Sequence, residues 1–225
     1  LDHEDHRPRV AAQRRERMRA RLLESALRLM ATRGLAGTSV DEVIADAQVS
    51  RGTFYKYFET PTALIQELAR EVAGDLIRIL DPLVCRSDDP AERLAVGLRA
   101  ALRLVRAHPL LGGFIVRTGW PLVGQEPAQF DLVTRDLLLG IKQGRFKRMH
   151  IDVARNLVAG SAIGGFYTLS SGRAPRDYPE QAAACTLRAL GVAADEAERI
   201  ATLKFTTPEI ADDTVVGRAL AARLA

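Results

Sequence analysis

A chain of 225 residues can hold one large domain or a small one with a larger companion. Its 47% hydrophobic and 27% charged residues suit a globular protein with a buried core, and 5% aromatics amid abundant Ala, Leu and Arg favours helix over strand. The charged first twenty residues lack the apolar core of a secretory leader, and the most apolar stretch, Val153 to Leu169, is broken by Arg155 and Asn156 and reads as a core helix. No membrane partner is expected, and the expected location is cytoplasmic.

Pro and Gly cut the chain into helix-length pieces, and no alternating run is long enough for a sheet, so the fold class is all-α. Residues 1–13 read as a mobile basic arm. The first helix is expected from Arg14 to Arg33, with Leu22, Leu23, Ala26, Leu27, Leu29 and Met30 inward and Arg14, Arg17 and Arg21 together on the other side. From Arg7 to Arg33 nine arginines stand against Glu16 and Glu24, a surplus larger than the +4 of the whole chain. Such concentration suits a polyanion partner and equally a solvated arm.

Thr38 and Ser39 then cap a short helix over Val40 to Ala47, with Asp41 and Glu42 in its first turn. Ser50 caps a second one, Arg51 to Phe58. Phe54 and Phe58, four apart, can face a core, which leaves Arg51, Thr53, Tyr55, Lys56 and Tyr57 outside. Exposed tyrosines beside Lys and Arg fit DNA: Tyr and Lys donate to phosphates, Arg reaches a guanine edge, and a Thr methyl meets a thymine methyl. Gly52 lets the helix lie close to a groove. Two short capped helices after a basic amphipathic one describe a helix-turn-helix unit over residues 14–60.

Residues 38–64, TSVDEVIADAQVSRGTFYKYFETPTAL, resemble the DNA-binding segment of the TetR (tetracycline-repressor) family. With the first helix the likeness covers about residues 14–68. It implies contacts to DNA from Arg14, Arg17, Thr38, Ser39, Ser50, Arg51, Gly52, Thr53, Tyr55, Lys56, Tyr57 and Thr60. Two positions depart from the family pattern. The turn glycine is Gln48, which is strained if the turn is left-handed. The lysine that often opens the next helix is absent around Pro61 and Thr62, with the arm arginines as compensation.

Residues 61–225 form the helical body, a ligand-binding and dimerisation domain by the same resemblance. Thr60 and Pro61 open a helix with Leu64, Leu68, Val72, Leu76 and Ile79 along one stripe. Further helices are expected over Pro90–His108, a short piece after Pro109, Pro127–Gly144, Ile151–Ser171, Pro179–Leu190, Ala194–Lys204 and Pro208–Ala225. Phe114, Arg117, Trp120, Phe130, Phe166 and Tyr167 are candidates to line a pocket for a small-molecule effector, with ordinary core packing as the alternative for each. Val153, Leu157, Gly160 and Gly164 share a face of the Ile151–Ser171 helix. The resemblance implies that this face meets a second copy in a homodimer, and close packing inside one subunit would use the same small residues.

Cys85 and Cys185 form no CxxC and are expected as buried or half-buried free thiols. His3, His6, His108 and His150 have no metal-ligand spacing, and GxSxG, HExxH and Gly-rich phosphate loops are absent. Neither an enzyme, a metal nor a cofactor is expected. The expected function is a sequence-specific DNA-binding transcriptional regulator, a repressor released from a palindromic operator in double-stranded DNA by a small molecule. The competing reading is a helical protein-interaction module without a ligand response.

Overall fold

The computed structural model describes residues 6–118 and 127–221. Its elements there are α1 (His6–Arg33), α2 (Val40–Ala47), α3 (Arg51–Tyr57), α4 (Pro61–Val84), α5 (Pro90–Ala107), α6 (Pro109–Thr118), α7 (Pro127–Lys142), α8 (Ile151–Ser170), α9 (Tyr178–Leu190), α10 (Ala194–Ala201) and α11 (Val215–Ala221), with no strand among the described residues. None of these helices is long and apolar enough to cross a membrane.

α1 starts at His6 rather than at Arg14. Ala11, Ala12 and Gln13 are good helix formers, and Pro8 falls in the first turn, where its missing N–H is not needed. At the other end helix begins at Val215, not Pro208, because Thr214 is the residue that caps it: its Oγ1 accepts the Gly217 N–H at 2.9 Å. α10 stops at Ala201, short of Lys204. Both thiols are exposed, against expectation: Cys85 ends α4 and Cys185 lies on the outer side of α9.

The head is α1, α2 and α3 with the start of α4. Leu22, Ala26 and Leu27 of α1, Val43 and Ala47 of α2, Phe54 and Phe58 of the α3 segment, and Leu64 and Leu68 of α4 make its core. Ser25, fully buried on α1, donates to the Val43 carbonyl at 3.1 Å. Because α4 continues to Val84, the boundary expected near residue 60 falls at the cap of a helix that head and body share.

In the body α5 is central, packed against α4, α6, α7, α8, α9 and α10. Asp89 caps it, with Oδ1 accepting the Ala91 N–H at 2.8 Å. α6 wedges between α1 and α8, which requires glycine: an added Cβ at Gly113 would run into the Ala31 carbonyl oxygen, and one at Gly112 into Ser170 Oγ and the Val105 side chain. Arg117, next on α6, donates to Ala31 O at 2.9 Å in the last turn of α1, where a cation also suits the helix dipole. The head therefore rests on the body through α4 and through α6.

Candidate nucleic-acid interface and effector cavity

The head's outer surface is built by caps. Ser39 and Glu42 form a reciprocal capping box at the start of α2: the Ser39 side chain accepts the Glu42 N–H, and Glu42 accepts the Ser39 N–H at 2.9 Å. The Ser39 N–H and the Ser39 hydroxyl, which donates to Glu42 Oε2 at 3.0 Å, together with Arg33 hold the Glu42 carboxyl below its usual range. Thr38 has a different task from the one its sequence position suggests. Its hydroxyl turns back to the Gly34 carbonyl at 2.8 Å, closing the α1–α2 connection. Ser50 caps α3 by accepting the Thr53 N–H at 3.1 Å, and Thr60 caps α4 by accepting the Ala63 N–H at 3.0 Å.

The turn between α2 and α3 is left-handed at Gln48, with φ 52° and ψ 49°, and its N–H is directed at the Ala45 and Ile44 carbonyls. The strain of a non-glycine residue there is offset by Arg21, whose Nη2 donates to Gln48 Oε1 at 2.9 Å. Arg21 is thus a strut for the turn. The other α1 arginines divide in the same manner. Arg19 binds Glu67 and Glu71 of α4, Arg28 binds Asp46 at 2.6 Å, and Arg33 binds Glu42. Arg9, Arg14, Arg15 and Arg17 are exposed and have no ion-pair partner among the described residues.

α3 buries Phe54, with Phe58 buried at its C-cap, and presents Arg51, Gly52, Tyr55 and Lys56 to solvent. Tyr55 is 43% exposed, its ring edge-on to Phe54 at 5.2 Å, so the phenol is held by packing with its hydroxyl outward. Arg51 is tethered loosely to Asp41 at 3.6 Å, and an added Cβ at Gly52 would touch only Ser50 Oγ. Thr53 is half-buried and shares a 2.8 Å bond with Ser50 Oγ. Tyr57, expected outside, is half-buried against the core, so only part of its ring faces solvent.

The body holds a cavity of about 240 Å³ between α4, α5, α7 and α8. Its walls are aliphatic, among them Leu76, Ile77, Leu80, Leu98 and Val133, and its polar groups are Asp81, Arg93 and Asp136. Asp136, almost fully buried, accepts from Arg93 Nη1 at 3.0 Å and from Arg135 Nε at 3.1 Å, both on Oδ1. None of the expected pocket residues that the structure describes lines this cavity. Phe114 and Phe166 are core, Arg117 binds α1, and Tyr167 is 53% exposed with its hydroxyl donating to the Val116 carbonyl at 2.9 Å. Trp120 and the side chain of Phe130 lie outside the described residues. Sequence reasoning missed Arg93 and Asp136 because each reads as a surface charge on an amphipathic helix; only the packing of α5 on α7 turns them inward.

On α8, Val153, Gly160, Gly164 and Tyr167 lie on an exposed face with Leu157 half-buried among them. An added Cβ at Gly160 or Gly164 meets nothing within 4 Å, so neither glycine serves packing inside the subunit. Gly165 is the contrast: a Cβ there would strike Leu102. Thr186 of α9 donates to Ser161 of α8 at 2.9 Å, which fixes the two helices as one surface.

Two capped short helices on a basic first helix, joined to an all-helical body with its own cavity, define a one-component regulator with a helix-turn-helix head. The chain belongs to the TetR family. Residues 22–68 match the family described as bacterial regulatory proteins, tetR family, and residues 89–203 match the tetracyclin repressor-like C-terminal domain. Among solved structures it is similar to RolR in complex with the ligand resorcinol, at 34% identity over 89% of this chain and 100% of that one, with a TM-score of 0.69. Among curated proteins it is 30% identical over 132 residues to an HTH-type transcriptional regulator of Mycobacterium tuberculosis, a match spanning 55% of this chain and 61% of that protein. It is 31% identical over 101 residues to the transcriptional repressor DhaR of a Mycobacterium species, covering 44% of this chain and 51% of DhaR.

Proposed function

We propose that the chain is a repressor that binds a palindromic operator as a homodimer and is released by a small molecule bound between α4, α5, α7 and α8. The observation that carries the DNA-binding part is α3. A helix of seven residues, anchored by Phe54 and by Phe58 at its C-cap, turns a hydroxyl, an ammonium and a guanidinium outward beside a glycine. A protein-interaction module leaves that outward set without a purpose.

One such helix reads too few base pairs to find a site among the competing sites of a genome. A two-fold dimer doubles the reading and sets the two helices about 34–36 Å apart, one turn of duplex. The exposed α8 face, with glycines that have no task inside the subunit, supports placing the second copy there.

The cavity suits an occupant of limited size: an apolar cavity of about 150 Å³ holds benzene, and the volume here is about 240 Å³. Asp81 and Asp136 at the cavity are balanced by Arg93 and by Arg135, which also binds Asp136, so the occupant they favour is a neutral group that donates to Asp136 Oδ2 and accepts from the Arg93 guanidinium. A small ring bearing a hydroxyl meets both demands. The resorcinol of RolR belongs to that class and is the first compound to try.

Selection of bound duplexes from a random pool by the purified protein tests the function. Enrichment of one inverted repeat is the expected outcome, and recovery of unselected sequence would reject it. On the recovered site, resorcinol and simple phenols are then titrated, and Asp136→Ala abolishes whatever release is seen.

A further inference from the structure

The last described segment, residues 203–221, runs from the body back to the head and is fastened at both ends. Arg99 Nη1 donates to the Leu203 carbonyl at 2.7 Å, and the Phe205 ring lies under the guanidinium groups of Arg99 and Arg103, 4.8 and 4.4 Å from their centres. At the far end α11 buries Val215, Val216 and Ala219 against α1, α4 and α6. There Arg218 Nε donates to Glu24 Oε1 of α1 at 2.6 Å.

The most unusual interaction is with α4. Asp75 is 1% exposed, and its Oδ2 accepts the backbone N–H of Val215 at 2.9 Å while Oδ1 meets Arg78. Burial pushes its carboxyl above the usual range against the pull of the Val215 N–H and Arg78, and nearby Glu71 adds to the rise. A leucine would fill this site without desolvating a charge. What the carboxylate adds is direction: a bond to one N–H, at one height on the helix.

α4 gives that height its meaning. Leu64 and Leu68 lie in the head core, and Ala73, Leu76, Ile77, Leu80 and Val84 line the cavity. At 3.6 residues per turn the cavity-lining positions share a face, and Asp75 stands on the opposite one. An occupant that displaces α4 from the cavity side therefore drives it against α11, which is itself tied to α1.

We propose that Asp75 is a positioning residue: by gripping the first turn of α11 it fixes α4 against α1, and so sets the angle at which the head is presented to DNA. The proposal rests on the DNA-binding function above, and its geometric core can be measured without DNA. Spin labels at Glu59→Cys in the head and Glu198→Cys on α10, with Cys85 and Cys185 changed to Ser and the labelled chain diluted in unlabelled protein, report one intrachain distance. A narrow distribution is expected for the parent and for Asp75→Asn, whose amide oxygen still accepts the Val215 N–H. Asp75→Ala broadens or displaces it. So does Val215→Pro, which deletes the donor at a helix position that accepts proline, keeps the buried position apolar, and carries the test if the alanine variant fails to fold. In parallel the alanine and proline variants lose about tenfold in operator affinity, a typical coupling between distant sites, with random-duplex binding and helical content held. Equal distances and equal operator affinities across the set overturn the latch alone. A narrow parental distance in a protein that selects no DNA sequence rejects the DNA-binding function and leaves the latch standing.

Discussion

Head and body put their paired arginines to different uses. In the body, Arg93, Arg99, Arg103 and Arg145 are drawn inward and saturated: Arg99 and Arg103 share Glu180, Arg93 holds Asp136, and Arg145 bridges Asp89 and Glu196. In the head, Arg19, Arg21, Arg28 and Arg33 brace α1 against its neighbours, and Arg9, Arg14, Arg15 and Arg17 are left in solvent, as are Arg51 and Lys56 of the α3 surface. A protein can satisfy its cations when it needs stability. The body's Arg86, Arg148, Arg173, Arg176 and Arg188 are likewise exposed without an ion-pair partner among the described residues. What distinguishes the head's set is its concentration in the basic segment Arg7 to Arg33, which suits a partner that brings many acceptors at once, as the phosphates of a duplex do.

The largest expected effect touches neither group. A Cβ at Gly164 meets nothing of its own chain within 4 Å, so the side chain of Gly164→Leu is expected to be felt chiefly by a second copy. Light scattering is expected to show a dimer turned monomer, and operator binding to fall by several orders of magnitude with every head residue intact. A variant that stays dimeric and binds normally would move the interface elsewhere.

Arg99→Ala tests the body's use of arginine. It strips Glu180 of one partner, frees the Leu203 carbonyl and removes one of the two guanidinium groups over the Phe205 ring. A loss of about 3 kcal/mol in denaturant unfolding is expected, in the range for breaking a buried pair. The Tyr55→Phe, Lys56→Ala double variant is its mirror: operator affinity falls by about 1–3 kcal/mol, while the unfolding midpoint stays within about 0.5 kcal/mol of the parent.

Neutralising Arg9, Arg14, Arg15 and Arg17 is expected to weaken operator and random duplex alike and to flatten the salt slope by about 0.9 for each phosphate no longer neutralised. Weakening confined to the operator would mean that these residues read bases.

The smallest effect is on acid stability. Burial pushes the Asp89 carboxyl up, yet the Arg145 bonds and the Ala91 N–H outweigh it and leave it below the usual carboxylate value. With the folded value depressed, the stabilisation is present above the unfolded carboxylate pKa and is lost as pH falls through the folded one. Asp89→Asn should make the unfolding free energy less dependent on pH across that acid window, with little change in its slope near neutrality.

The head was legible in the sequence because its signals are local. Ser50 with Phe54 and Phe58, and Thr60 with Pro61, each act within one turn, and the strain expected at Gln48 is present as a left-handed turn. Elsewhere the determinants lie far apart in the chain. Tyr57 is half-buried by packing against the core cluster, which its own helix does not reveal. The cavity depends on Arg93 meeting Asp136 across 43 residues, and the α11 latch on Asp75 meeting Val215 across 140. Aromatics drew attention as pocket candidates, but Phe114 and Phe166 proved to be core, as large apolar side chains commonly are.

The central claim, that the α3 surface reads duplex DNA, is tested most directly by the affinity of the purified protein for its selected operator against a scrambled duplex of equal length, across a salt series. Operator binding is expected to be at least about a thousandfold tighter at physiological salt, with both affinities falling steeply as salt rises. Equal affinity for the two duplexes at every salt concentration would contradict it.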